Sequence, residues 1–520
     1  MPKPARSPRK KSAQQLAPAQ VFAAQTSLRP RAAVIGAGIG GLALAIRLQA
    51  GGYDTTLIEA RDQVGGIAAG WSDQGFSFDT GPSALADPAA LNELWALSGH
   101  VLADDLELLP IVPWCRFNWP DGAHFDYSGD AAQMVQEMAR IAPGDAPGFA
   151  DFAAWCAAAH DDIWLKLGRS AMADLATLAT STPALVRQQA WRSPYATAAR
   201  FVKSDKLREV LTAHLLAMGG NPFTASAVHL LHHQRLARQG LCYPKGGFAA
   251  LPRAMARQFE RIGGTLRLGD PVVRLHPLGN RIDAVECHSG WRDRFEVVAS
   301  DADLVHTYRS LLAEVPGTAK TARKMAGLRW TPGAFVLHFG LEGSWPGIPH
   351  HSVLFGPRFR GLFDDIHQHG VLPRDQLITL HHPSLTDPAM APPGKSAFTA
   401  VVPVANRGKL PIDWEQLGPL MEQRVLAEIG RRLIPDLADR IVCKAHVTPR
   451  DMALELGNHL GSGYGPEPIF TQSGWLRPHN RDGKLANFYL VGAGTHPGAT
   501  VPGVLAGARS SAQLMLENAK

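Results

Sequence analysis

The sequence predicts an α/β fold: a Rossmann-like dinucleotide-binding sheet carrying an inserted helix-rich and mixed-sheet region. Three observations predict it. An apolar run at residues 32–35 leads directly into Gly36-Ala37-Gly38-Ile39-Gly40-Gly41. A helical pattern over 40–52 and a second apolar run over 55–59 follow, at the spacing of a strand–helix–strand unit. Near the other end, a strand-like segment at 487–491 enters Gly492-Ala493-Gly494-Thr495-His496-Pro497-Gly498, which reads as a return strand closing over the same ligand.

Each element has its own justification. Residues 32–35 are uniformly apolar, as a parallel strand buried on both faces requires. Gly36 permits a tight turn, Gly38 lets the backbone approach a pyrophosphate, and Gly41 lets the helix pack close to the sheet. The phosphates then meet the positive end of that helix and its free N–H groups. Glu59 stands at the end of the second strand, where a carboxylate accepts hydrogen bonds from ribose hydroxyls and repels a 2′-phosphate, so NADP fits poorly. Arg61 and Gly65-Gly66 suggest a backbone loop against the cofactor; a turn without a ligand is the other reading.

Residues 84–234 are patterned mainly for helices, at 88–97, 131–141, 148–166 and 204–218. Strand signals return at 265–268, 272–275, 281–287 and 295–300, and alternation at 334–339, 377–381 and 397–404 suggests a second sheet. The last strand, 487–491, precedes a helix expected over 504–518. The expected division is a basic tail (1–30), a discontinuous cofactor-binding unit (31–83, 235–305 and 470–520), and a substrate-binding, membrane-associating region (84–234 and 306–469).

The net charge of +6 is a property of the tail. Lys3, Arg6, Arg9, Lys10, Lys11, Arg29 and Arg31 stand in the first 31 residues with no acid, and removing those seven charges leaves −1 for the rest. Disorder is the expectation for this segment; attraction to an anionic membrane and a transit peptide are the alternatives. Basic patches interleaved with aromatics are absent, so nucleic acid is not an expected partner. Five scattered cysteines without metal or redox spacing fit a reducing compartment. No apolar run approaches the length of a membrane span. The histidine doublets 232–233, 350–351 and 381–382 are poor chelates, because neighbours on a strand face opposite ways. His229 and His233, four apart on an expected helix, are better read as a surface or core pair than as metal ligands.

Several segments together resemble the bacterial and fungal-type phytoene desaturases, FAD-dependent carotenoid desaturases of the flavin amine-oxidase superfamily. They are the stretch 33–83 with Gly-Phe-Ser-Phe-Asp-Thr-Gly-Pro at 75–82, Tyr243-Pro244-Lys245-Gly246-Gly247, the segments 300–308, 354–358 and 471–480, and, most specific, the block 491–503. The resemblance runs from about residue 30 to the C-terminus. It implies FAD as cofactor, in a fold of the amine-oxidase type. It also implies that Gly36, Ala37, Gly38, Gly40 and Gly41 hold the pyrophosphate, and that Glu59, with Ala60 and Arg61 beside it, binds the adenosine ribose. Gly65 and Gly66 would line the flavin-side loop, and Val272 would contact adenine through its backbone. Gly494 and Thr495 would approach the phosphates and ribityl chain, and Val504 would bring a backbone N–H to the flavin pyrimidine. His496 falls near the flavin, with a loop-fixing or a redox role. Two departures stand out: Ile67 replaces the arginine usual after the Gly-Gly pair, and the interior between 166–168 and 190–193 offers only Arg169, Asp174 and Arg187, to none of which a catalytic role is transferred.

The implied reaction is stepwise dehydrogenation of phytoene to neurosporene or lycopene, by hydride transfer to flavin. Its demands on the protein are positioning and exclusion of water, so no catalytic triad is needed and no proton acceptor is identified. The substrate is a polyene dissolved in a membrane, which calls for a cytoplasmic protein docked peripherally on the inner face. Oxygen or a quinone would be the electron acceptor; oligomeric state is left open. The alternatives are a later-pathway carotenoid desaturase or oxidase, a redox-neutral polyene isomerase, a flavin amine oxidase, and a non-catalytic lipid-binding scaffold of the same fold.

Overall fold

The computed structural model describes residues 29–165 and 175–517. The expected basic tail, all but its last two residues, and Arg169 and Asp174 lie outside that range. Five parallel strands form the central sheet, in the order Thr265–Arg267, Asp54–Ile58, Arg31–Ile35, Val297–Ser300, Phe488–Leu490. Strands distant in sequence thus become neighbours: Ala32 pairs with Thr55 on one side and Val297 on the other, and Val298 pairs with Phe488.

The first strand explains why the sheet is buried on both faces. Ala32 and Val34 pack into a core with the helices Ile39–Ala50, Ala250–Arg261 and Val501–Glu517, while Ala33 and Ile35 point into a second core. That second core also takes Val272, Leu275 and Val285 from the antiparallel three-stranded sheet Val272–Leu278, Arg281–Cys287, Arg292–Arg294. An uninterrupted apolar run is the only strand pattern that serves two such faces.

The second sheet has seven strands in the order Ile441–Val447, Gly333–Glu342, Lys395–Val404, Ile378–His381, His351–Leu354, Cys115–Asn118, His124–Tyr127. Its pairings are antiparallel except for His351–Leu354 against Cys115–Asn118. Two differences from the sequence reading are instructive. The helical reading of 84–234 missed Cys115–Asn118 and His124–Tyr127, which are too short to show periodicity; the first is stabilised by a partner strand more than 200 positions away, and the second pairs with the first at the sheet edge. The helix expected over 148–166 ends at Ala159 and continues as one wide turn, His160–Trp164.

The family-like segments 75–82 and 243–247 meet through Asp79. Its buried carboxylate accepts the Tyr243 hydroxyl at 2.6 Å and the Phe248 N–H at 2.7 Å. Burial pushes this carboxyl up to about 6, against the lowering effect of those two donors. Asp387 accepts the Gly246 N–H at 2.6 Å, so a second acid fixes the same turn.

Candidate cofactor site

The site is assembled at the C-terminal ends of the parallel strands, where open α/β sheets bind ligands. Gly36 ends the first strand with φ +96 and donates its N–H to Ile58 O at 2.7 Å. Gly38 begins the following helix in an extended conformation. Gly41 faces the Gly36 carbonyl so closely that a Cβ there would collide with it. Gly40 faces the other end of the chain: a Cβ at this position would lie 3.1 Å from Gly492 Cα. The two glycine-rich segments therefore touch.

Glu59 follows the second strand and is only 8% exposed. Its carboxylate accepts the Ala37 N–H at 2.7 Å and the Arg61 N–H at 3.0 Å, which draws the Glu59 turn onto the cradle. Ala60 between them is exposed. Arg61 donates to Gly66 O at 2.7 Å, and Gly65, at φ +118, donates its N–H to Ala37 O at 2.8 Å. This ties the 65–66 loop to the cradle without the arginine that Ile67 replaces. Gly269 and Asp270 donate their N–H groups to Arg61 O and Glu59 O, which sets buried Val272 behind the same turn.

The return segment is held from beneath by two residues to which the sequence reading gave no role. Arg477, 3% exposed, donates to the carbonyls of Thr495 (2.9 Å), Ala493 (2.7 Å), Gln472 (3.2 Å) and Pro466 (3.4 Å). Burial lowers this guanidinium to about 10. Asn480 donates to His496 O at 3.1 Å and Thr495 Oγ1 at 3.3 Å. Thr495 is fully buried and its hydroxyl also donates to Gly492 O at 3.1 Å. Gly494 is required by Leu304, whose Cγ would lie 2.7 Å from a Cβ there. His496 donates its N–H to Pro478 O, so its backbone is fixed on both sides.

One expected contact needs correction. The last helix begins at Val501, three residues before the expected start, and Val504 donates its N–H to Thr500 O at 2.9 Å. An amide committed to the helix is not available to a ligand; the first amide at the helix mouth is that of Val501.

The histidine pattern is structural. His351 and His381 face each other across paired strands with Nδ1 atoms 2.7 Å apart, and His381 also meets Ser83 Oγ at 2.9 Å. Burial pushes the His381 ring down to about 4 and His350 to about 3. His233 uses one nitrogen on Tyr127 and the other on Leu211 O, so it does not pair with His229. Among the described residues no group of three or more His, Cys, Asp and Glu side chains could hold a metal.

A family model described as flavin-containing amine oxidoreductase matches residues 39–516. The chain is 43% identical over 487 residues to a lycopene-forming phytoene desaturase of Paracoccus sp., covering 94% of this chain and 97% of that protein. The chain belongs to the flavin-containing amine oxidoreductases, among the phytoene desaturases. A neurosporene-forming phytoene desaturase of Cereibacter sphaeroides is 37% identical, over 93% of this chain and 94% of that one. Among solved structures, an oxidoreductase from Methanosarcina mazei aligns with a TM-score of 0.62 at 16% identity, covering 93% of this chain and all of that one. A putrescine oxidase variant aligns with a TM-score of 0.62 at 15% identity, over 94% and 99%. These two share the fold.

This flavoprotein is an FAD-dependent oxidoreductase acting on CH–CH groups. The residues fit the cofactor on physical grounds. The cradle's amides already attract anions, since Glu59 accepts the Ala37 N–H and Asp301 accepts the Gly41 N–H at 2.9 Å.

Proposed function

We propose that this protein desaturates phytoene stepwise, with lycopene as the best-supported end product and neurosporene as the shorter alternative. The observation that carries the reading is full-length similarity to lycopene-forming enzymes at 40–43% identity, against 37% for the neurosporene-forming ones. Bound FAD supplies a hydride acceptor. The chain's part is to bind and orient it: Gly36, Ala37, Gly38, Gly40 and Gly41 cradle the pyrophosphate, Glu59 takes the adenosine ribose with Ala60 and Arg61 beside it, and Val272 backs the adenine. Gly65 and Gly66 on one side and Gly494 and Thr495 on the other enclose the flavin side. In this reading 31–83, 235–305 and 470–520 form the cofactor unit, and the remainder beyond the tail handles substrate. Expression in cells that accumulate phytoene should yield a coloured carotene extract. A colourless extract from cells containing folded, flavin-loaded protein would overturn the assignment.

Glu59 provides a direct check on the ribose role. Glu59→Gln keeps an acceptor for Ala37 but sets an amide against the Arg61 N–H. A charged hydrogen bond contributes about 1.5–3 kcal/mol, so FAD affinity should fall by about tenfold to a hundredfold in a fluorescence titration. Unchanged affinity would remove Glu59 from the site.

No helix among the described residues is long and apolar enough to cross a membrane, and a polyene substrate calls for peripheral docking, with oxygen or a quinone as the acceptor. Exposed Leu165, Val186 and Trp191 support one docking patch. The Arg187–Asp162 ion pair (2.8 Å) holds their two segments together, and Arg192 is exposed beside them. Apolar rings and aliphatics flanked by arginine suit the headgroup boundary. Trp191→Asp combined with Val186→Asp should abolish flotation with anionic liposomes while leaving the flavin spectrum intact; undiminished flotation would exclude the patch.

A further inference from the structure

One side chain sits at the centre of the cradle. Asp301 follows the fourth strand of the parallel sheet in sequence order, and its N–H donates to Ile35 O at 2.7 Å, which locks it beside the first strand. Its carboxylate accepts the Gly41 N–H. Four glycines of the first segment and one of the last converge on it. A Cβ at Gly38 would stand 2.7 Å from Asp301 Oδ2, one at Gly40 2.7 Å from Oδ1, one at Gly41 3.2 Å and one at Gly36 3.4 Å from its Cβ, and one at Gly492 would collide with Oδ1. The absence of side chains at these positions thus serves a carboxylate as well as a cofactor.

The geometry points to Asp301 as the cradle's internal anion, with FAD binding coupled to uptake of one proton at its carboxylate. The inference rests on the reading that this cradle holds the FAD pyrophosphate. The reasoning is electrostatic. The pyrophosphate must approach the helix end that Asp301 already occupies, and two anions there repel unless one is neutralised. Among the described residues no cation pairs with Asp301. The turn into the first helix and the return turn at Gly492 present glycine to it. The titratable neighbour is Glu59, another acid. Arg61 is turned onto Gly66 O, and Asp303 is turned away, accepting the N–H groups of Val305, His306 and His459. The protonated carboxyl keeps one oxygen for the Gly41 N–H and gains an O–H donor.

The sign follows. Burial first, and Glu59 second, raise the carboxyl to about 7 against the lowering effect of the Gly41 N–H. An arriving anion raises it further, so the bound state holds more protons and affinity weakens as pH rises above 7. The test is FAD titration of the deflavinated full-length chain between pH 6 and 9, followed by flavin fluorescence. The wild type should be flat near pH 6 and lose affinity by up to about tenfold per pH unit above 7. Asp301→Asn, isosteric and neutral, should match the wild type at pH 6, stay flat, and bind more tightly at pH 8.5; Glu59→Gln, weaker throughout, should keep the slope but begin it at lower pH, because the Glu59 charge raises the carboxyl. A flat wild type, or an undiminished slope in D301N, overturns the inference while leaving the FAD site in place. FAD that fails to bind at any pH overturns the cradle reading itself. Should D301N fail to fold, calorimetry of the wild type in buffers of different ionisation enthalpy decides: about one proton taken up at pH 8 supports the coupling, and none overturns it.

Discussion

Replacing Gly41 with alanine should cost about 3 kcal/mol or more of folding stability and deprive the purified protein of its flavin. The reason lies in what the added methyl would meet. It would fall on the Gly36 carbonyl, and it would also crowd Asp301 Cβ at 3.2 Å. The first obstacle is backbone, which has no rotamer to adopt. Relief requires moving the helix Ile39–Ala50 away from the sheet, and that helix packs on Val501–Glu517 within the largest apolar core. Close-packed interiors do not absorb such a shift locally. In the proposed cofactor site, the same displacement draws the helix's N-terminal amides away from the pyrophosphate. Denaturant unfolding and the flavin-to-protein absorbance ratio measure the two effects. A G41A protein with wild-type stability and a full flavin complement would show that the helix does not sit against the sheet as described.

Arg477→Met should be nearly as damaging, by another route. Four carbonyls lose their donor at once, and each buried acceptor left unmet costs about 1–3 kcal/mol. Partial relaxation leaves a net loss on the order of 4 kcal/mol. The methyl thioether fills volume but donates nothing. Because two of those carbonyls belong to Thr495 and Ala493, the return turn loosens first. Flavin should therefore dissociate at denaturant concentrations below the main unfolding transition. Arg477→Lys should recover part of the loss, since an ammonium carries three donors but lacks the planar fork that reaches carbonyls on several sides. Equal behaviour of the two variants would mean that bulk, and not hydrogen bonding, is what the turn needs.

The parts of the molecule that were legible in the sequence share one property: their cause is local. The run 32–35, the glycines after it and Glu59 announced a strand, a turn, a helix and a strand end, and the structure places them there with shifts of one or two residues. The return segment 492–498 was legible through its composition. What escaped depends on distant partners. Cys115–Asn118 is a strand because His351–Leu354 lies beside it. Val504 was assigned a free amide because the helix start was placed too late; Thr500 Oγ1 and the Thr500 carbonyl extend the helix backward. Arg477, Asn480 and Asp301 carried no role in the sequence reading because a buried or half-buried polar side chain reads like an exposed one until its surroundings are known. The available signal was only that 300–308 and 471–480 stood among the family-like segments.

By itself, then, the sequence determined the strand–helix–strand unit, because glycines at fixed offsets and apolar periodicity act through neighbours a few residues away; the cofactor and the chemistry came from its resemblance to the family. Tertiary structure alone decided that residues 36–41, 301 and 492 lie in contact, with a carboxylate at their centre. Contacts of that kind depend on which strands lie side by side, and strand order is set by packing over the whole sheet.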